Sequence, residues 1–233
     1  MPLECAVPPL RTMPNEPIKD EVLKEKPENL APSPPSPEKR GDKYQRILEA
    51  AVEVIAEHGF FNARVSDIAQ RAGVADGTIY LYFKSKDQIL MAAISNAFGA
   101  FLDLARTEVK SAAEPRDQLR RLALLHLTSL GSNRNLAIVF QTELRQSARF
   151  LAQFSQHQLK QYFDLIREVV RAGQERGTFR RDLSDKIVAN CFFGSLDEMV
   201  TSWLLSERDY SLPGAADAVV DVILGGVETR RHS

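Results

Sequence analysis

Two cysteines in 233 residues leave little room for sulfur chemistry. Cys5 lies in a proline-rich stretch and Cys191 in an apolar helical one, so no structural disulfide is expected and a reducing cytoplasm fits. The four histidines (58, 126, 157 and 232) are scattered and share no ligand spacing with cysteine or glutamate, which leaves no metal site. No catalytic dyad is visible: His126 has no acid or nucleophile at a telling distance in sequence, and packed core is its plain reading. Glycine-rich phosphate loops, internal repeats and strand-like alternation are missing as well. No uncharged apolar run approaches the ~20 residues of a membrane span. The N-terminal apolar residues are interrupted by proline and charge before a signal peptide could form. A net charge of −1 gives no global pull on nucleic acid, so any such attraction must come from local placement.

What is present is an ordinary globular composition, 44% apolar and 26% charged, at a length that allows one or two domains. Residues 1–40 hold 10 of the 12 prolines, with six basic residues against seven acidic, and are expected to be a disordered tail. Its basic end is either a solvated linker or an arm whose Lys39, Arg40 and Lys43 touch DNA phosphate. Beyond it the chain reads as all-α. Tyr44, Ile47, Leu48, Ala51, Val52 and Ile55 form one apolar stripe over 42–58, and Gly59 should stop that helix. Ser66–Lys86, SDIAQRAGVADGTIYLYFKSK, holds two short amphipathic pieces around Gly73-Val74, the layout of a helix-turn-helix that offers its second helix to a major groove. Ser66 is expected to cap the first of these helices, and Asp76 or Gly77 to begin the second. Ser85-Lys86-Asp87-Gln88 reads as a capping box opening a long fourth helix, whose free N–H groups and Lys86 suit phosphate. Helices are further expected over 86–110, over 115–130 behind Pro115, in NLAIVFQTELRQSARF and then a long amphipathic run to about Gly173 through Phe154 and Tyr162, and over 183–206 and 214–229.

At Gly73–Lys86 a resemblance becomes specific. Residues 42–95, with RILEAAVEVIAEHGF and TIYLYFKSKDQIL, resemble the DNA-binding domain of TetR-family repressors. NLAIVFQTELRQS and FGSLDEMVTSWLLSERDYSL are similar to the ligand domain of the acyl-CoA-responsive fatty-acid-degradation regulators, the TetR-type FadR group. The resemblance implies a DNA-binding domain over 41–88 and a helical ligand-binding and dimerisation domain over 89–231. It further implies a homodimer through the last two helices, a palindromic double-stranded operator, repression of β-oxidation genes, and release by long-chain acyl-CoA, with no cofactor.

By position in the motif, Ser66, Thr78, Tyr82 and Lys86 would hold phosphates, and Ala75, Asp76, Gly77 and Tyr80 would face base edges. Asp76 could instead serve only as a helix cap. An acyl-CoA site needs an apolar slot and cations. Phe98, Phe101, Phe140, Leu144, Phe163, Phe193 and Trp203 are candidates for the slot, and Arg120, Arg134, Arg145 and Arg149 for the phosphates, because the guanidinium fork suits phosphate. Each aromatic could equally be core, and each arginine a solvated surface residue. Val188, Phe192, Ser195, Met199, Trp203, Val219, Val220, Ile223 and Val227 are expected on the dimer faces of the last two helices. Two rival readings are a TetR-type repressor answering another apolar ligand, a drug or a free fatty acid, and a helical acyl-CoA enzyme or carrier.

Overall fold

The apolar stripe of the first helix becomes the spine of a small N-terminal core. In the computed structural model, which describes residues 39–208 and 210–227, α1 (Lys39–Asn62) buries Ile47, Leu48, Ala51, Val54 and Ile55. Gly59 interrupts it with φ 75° and ψ 154°, a conformation that favours glycine, and one more helical turn follows. The expected tail up to residue 38 lies outside the described residues.

Helix α2 (Val65–Ala72) and α3 (Asp76–Tyr80) are joined by Gly73 in the left-handed region, at φ 64°. A Cβ there would lie 2.9 Å from Arg46 Nη2, and that guanidinium donates to the carbonyls of Ala72 and Gly73. Arg71 binds Glu53 and Glu57 of α1 at 2.9 and 2.8 Å, pinning α2 to its neighbour. Ser66 is not the cap of α2. The chain turns at buried Ala63, whose N–H bonds Gly59 O, so the extended residue falls at Arg64 and Ser66 sits in the first turn. Asp76 is likewise in the first turn of α3, behind Ala75 as N-cap.

Helix α4 (Lys86–Ser111) starts as expected, with Ser85 accepting from Gln88 N at 3.3 Å, while Gln88 Oε1 accepts from Lys84 N rather than from the cap residue. It is the one described helix long and apolar enough to cross a membrane by composition, yet Ile89, Leu90, Ile94 and Leu102 are core. Then come α5 (Pro115–Gly131), with Pro115 in its first turn, and α6 (Arg134–Ile138). Neither the segment NLAIVFQTELRQSARF nor the expected run after it to about Gly173 is continuous α-helix. A π-helical turn at Val139–Glu143 leads into α7 (Leu144–Gln146), and Ser147 leaves the helix at φ −115° to cap α8 (Ala148–Phe154). A second π turn, Ser155–Leu159, leads into α9 (Lys160–Glu175). Helix α10 (Asp185–Leu205), a 3₁₀ turn at Leu212–Ala215 and α11 (Ala216–Val227) complete the described fold. Apart from a lone bridging residue at Phe179, no β-structure occurs among the described residues.

Two buried clusters result. One gathers α1–α3 with Ile89–Ile94 of α4 and with Val139, Leu144, Phe150 and Phe154 from the π-turn region. The other gathers the remaining part of α4 with α5, α9, α10 and α11. The N-terminal core therefore reaches past residue 88 and takes side chains from the far half of the chain. Gly173 marks the tightest seam of the second core, because a Cβ there would meet Phe179 Cδ2 at 2.1 Å. Val188, Phe192, Val220 and Val227, expected on a dimer face, are buried within the subunit. The outward positions of α10 and α11 are instead Ile187, Cys191, Gly194, Val222 and Gly226.

Candidate functional site

The first candidate surface is α3 and its flanks. Ala75, Asp76, Gly77 and Tyr80 are exposed on one short helix, with Thr78 partly so, while Ile79 and Phe83 turn inward. Gly77 has nothing within 4 Å of an added Cβ, so this turn presents bare backbone. Tyr82 is half-buried against Tyr44, with ring centroids 6.0 Å apart. Leu81, 83% exposed beside a 60% exposed Tyr80, was not singled out from sequence. Its signal was its phase, out of step with the Ile79–Phe83 core pair. Lys43 and Ser66 are exposed on α1 and α2.

Lys86 is less free than its motif position suggests. Its ammonium donates to Phe61 O and Ala63 O at 3.0 and 2.8 Å and lies 4.7 Å from the Phe60 ring centroid. It thus ties the start of α4 to the α1–α2 corner and keeps one proton for another acceptor.

The second candidate site is a cavity of about 240 Å³. Its walls come from α4 (Phe98, Phe101), α5 (His126, Ser129), the first π turn and α7 (Phe140, Gln141, Leu144, Arg145), the second π turn (Leu159) and α10 (Phe193, Asp197), with Phe154 of α8. Six expected ligand residues are brought together here: Phe98, Phe101, Phe140, Leu144, Arg145 and Phe193. Five are not. Arg120 bridges α5 to α11 through Asp217 and Asp221. Arg134 donates to Leu204 O and lies over the Trp203 ring, whose Nε1–H donates to Tyr210 O. Phe163 packs behind Phe193 at 5.0 Å, and Arg149, 3.9 Å from Asp87, lines a separate hollow with Glu143 and Phe150. Sequence spacing placed these side chains on the right helices but could not give their azimuth.

The polar groups of the cavity are few. Half-exposed Arg145 holds both oxygens of Asp197 at 2.8 and 2.7 Å, and Gln141 Nε2 donates to the same carboxylate at 2.9 Å. His126 is only 6% exposed, and burial pushes its imidazole down to about 4 against an opposing pull from Asp197. Its lining role was missed, because a single histidine in an apolar helix carries no sequence signal of which way it faces.

One segment touches both the cavity and the end of α1. In the first π turn, Phe140 and Gln141 face the cavity while Glu143 Oε2 accepts from Phe60 N at 2.8 Å, at the Gly59 break of the N-terminal domain. π turns widen a helix locally and recur at functional sites.

Residues 47–93 match the bacterial regulatory proteins of the tetR family, and residues 94–226 match the C-terminal region of YsiA-like proteins. A fatty acid metabolism regulator protein of Bacillus subtilis is 37% identical over 188 residues, 81% of this chain and 97% of the other. The structure of the fatty acid degradation regulator FadR from Bacillus halodurans superposes with a TM-score of 0.74 at 41% identity, covering 78% of this chain and 98% of that one. That of FadR from Bacillus subtilis in complex with stearoyl-CoA gives 0.75 at 37%, covering 79% and 100%.

Proposed function

The chain belongs to the TetR family of bacterial regulatory proteins, and on that footing we propose that it is a homodimeric repressor of fatty-acid degradation genes, released from a palindromic operator by long-chain acyl-CoA. It is a transcriptional regulator, not an enzyme, and it acts where the bacterial chromosome lies, in the cytoplasm. The single observation that carries the effector reading is the mostly apolar cavity with one arginine at its edge. The likeness to a regulator with stearoyl-CoA bound supports it.

On the DNA side, α3 enters the major groove. Gly77 lets backbone approach closely, Ala75, Asp76 and Tyr80 face base edges, and Leu81 supplies apolar surface for thymine methyls. Asp76 has only cytosine N4 among the usual partners. Lys43, Ser66, Thr78, Tyr82 and the last proton of Lys86 take phosphates on the flanks, which position the protein without reading sequence. On the effector side, the acyl chain lies among Phe98, Phe101, Phe140, Leu144 and Phe193, and Arg145 with neighbouring Arg149 takes CoA phosphates. Arg120, Arg134, Phe163 and Trp203 act in scaffolding. Two subunits join through the outward faces of α10 and α11, where Gly194, Gly225 and Gly226 leave open space for a second helix pair.

Release follows if the ligand displaces Phe140 and Gln141, since Glu143 on the same turn grips the backbone beside Gly59. A coupling of about 1–3 kcal/mol between the sites is the usual scale of such linkage. The test is a gel-shift titration of the operator complex. Stearoyl-CoA should dissociate it and free CoA should not; release by both, by neither, or only by a drug or free fatty acid would refute the effector assignment.

A further inference from the structure

Among the described residues, His126 Nε2 is the buried side-chain polar atom left without a hydrogen-bond partner. It belongs to a side chain that lines the cavity, so the orphan lies at the chamber wall, with almost none of its own surface open. Apolar rings surround it: Phe101 and Phe193 lie at centroid distances of 5.9 and 5.8 Å. The other ring nitrogen is engaged. Tyr162, itself fully buried, brings its hydroxyl to within 3.5 Å of Nδ1. No other acceptor is recorded for that hydroxyl among the described residues, so its proton goes to Nδ1 and the imidazole hydrogen resides on Nε2. Burial keeps the ring neutral, so this tautomer is the one present at ordinary pH. Asp197 lines the same cavity, where its oxygens accept from Arg145 and Gln141, but no hydrogen bond joins it to Nε2.

A buried N–H without an acceptor costs more than a hydrogen bond returns, so a ligand that satisfies it is favoured over an isostere that does not. We propose that His126 Nε2–H is a specificity donor that accepts only ligands placing an oxygen on the acyl group against it, either the thioester carbonyl or a hydroxyl or keto oxygen along the chain. The inference rests on the acyl-CoA reading above and adds the chemistry that this site selects. A saturated hydrocarbon chain alone, however well it fills the phenylalanine walls, leaves Nε2–H unmatched. Tyr162 is a positioning residue here, acting through the tautomer that it imposes.

The experiment is isothermal titration of the full-length protein with stearoyl-CoA, with S-octadecyl-CoA, a thioether lacking the carbonyl, and with a hydroxystearoyl-CoA. If the carbonyl is the acceptor, stearoyl-CoA binds about tenfold tighter than the thioether. If an in-chain oxygen is the acceptor, those two bind alike and the hydroxylated chain binds about tenfold tighter than either. In both cases the preference must vanish in His126→Phe and return at least in part in His126→Gln, whose amide can donate from a similar position. The glutamine variant keeps the test decisive should the phenylalanine variant fail to fold. Equal affinity for all three ligands in the wild type, or a preference that survives His126→Phe, overturns the proposal while leaving the acyl-CoA reading intact. Failure of all three to bind the wild type overturns both.

Discussion

Lys43 and Lys86 are both basic residues of the DNA-binding domain, yet their surroundings give them different work. Lys43 stands exposed on α1, whereas the Lys86 ammonium is held by two carbonyls of the α1–α2 corner. Lys43→Ala should reduce the salt dependence of operator binding by about one unit and leave the melting temperature unchanged. Lys86→Ala should also flatten the slope by about one unit, weakening all sequences alike, but should lower the melting temperature because Phe61 O and Ala63 O lose their donor. Slopes from filter binding over a salt series and melts by circular dichroism separate the two; an unchanged slope for Lys86→Ala would mean its charge serves the fold alone. His126 makes a second residue-scale prediction. The unfolded chain protonates this histidine near 6.5, the folded site only near 4. The unfolded state therefore binds more protons across that window. Its contribution to stability is complete above 6.5 and is lost as pH falls toward 4, about 3 kcal/mol in all. In urea melts from pH 7 to 4, His126→Phe should be less acid-sensitive than the wild type by this amount. Asp197 opposes the shift, so its removal should steepen the wild-type limb.

At the scale of elements, the proposed route between ligand and DNA runs through the first π turn. Its sequence, VFQTE, lies in the segment NLAIVFQTELRQSARF, where nothing in the residues marks a π turn. Periodicity reports which residues are apolar; it does not report where one extra residue is admitted into a turn. Val139 and Leu144 belong to the N-terminal core, Phe140 and Gln141 to the cavity, and Glu143 to the Phe60 N–H. Glu143→Ala should leave that N–H unpaired, costing about 1–3 kcal/mol of stability. It should also bring the ratio of operator affinities without and with stearoyl-CoA toward one, while Glu143→Gln, which retains an acceptor oxygen, should keep most of the ratio. A ratio unchanged in the alanine variant would route the coupling elsewhere, most simply through α4, which joins the DNA-binding domain to the cavity wall. The caps illustrate the same limit on a smaller scale. Ser85 was legible because its partner Gln88 lies three residues away. Ser66 was not, because the buried Ala63 and the Gly59 bond shift the start of α2.

On the scale of the whole molecule, the proposed dimer would form through the faces of α10 and α11 that the subunit leaves uncovered. Ile187 and Val222 are 61% and 80% exposed, while Val188 and Val220, their neighbours in sequence, are buried. Ile187→Glu combined with Val222→Glu should yield monomers by light scattering and weaken operator binding at least tenfold, since each subunit would then engage a half-site alone. A dimer that persists in that variant would place the interface elsewhere. That four of the residues expected on these faces, Val188, Phe192, Val220 and Val227, are buried has a simple cause. Both helices are apolar over most of their surface, so hydrophobic spacing cannot tell an inward side from a side reserved for a second subunit. What sequence determined by itself was the all-α class, the helix-turn-helix with its glycine turn, and the capped start of α4, because each depends on contacts only a few residues apart. Only the tertiary structure decided which phenylalanines and which arginine share a cavity, that Lys86 is partly occupied, and that a buried histidine faces the chamber, because those facts depend on the rotation of helices packed against one another from distant parts of the chain.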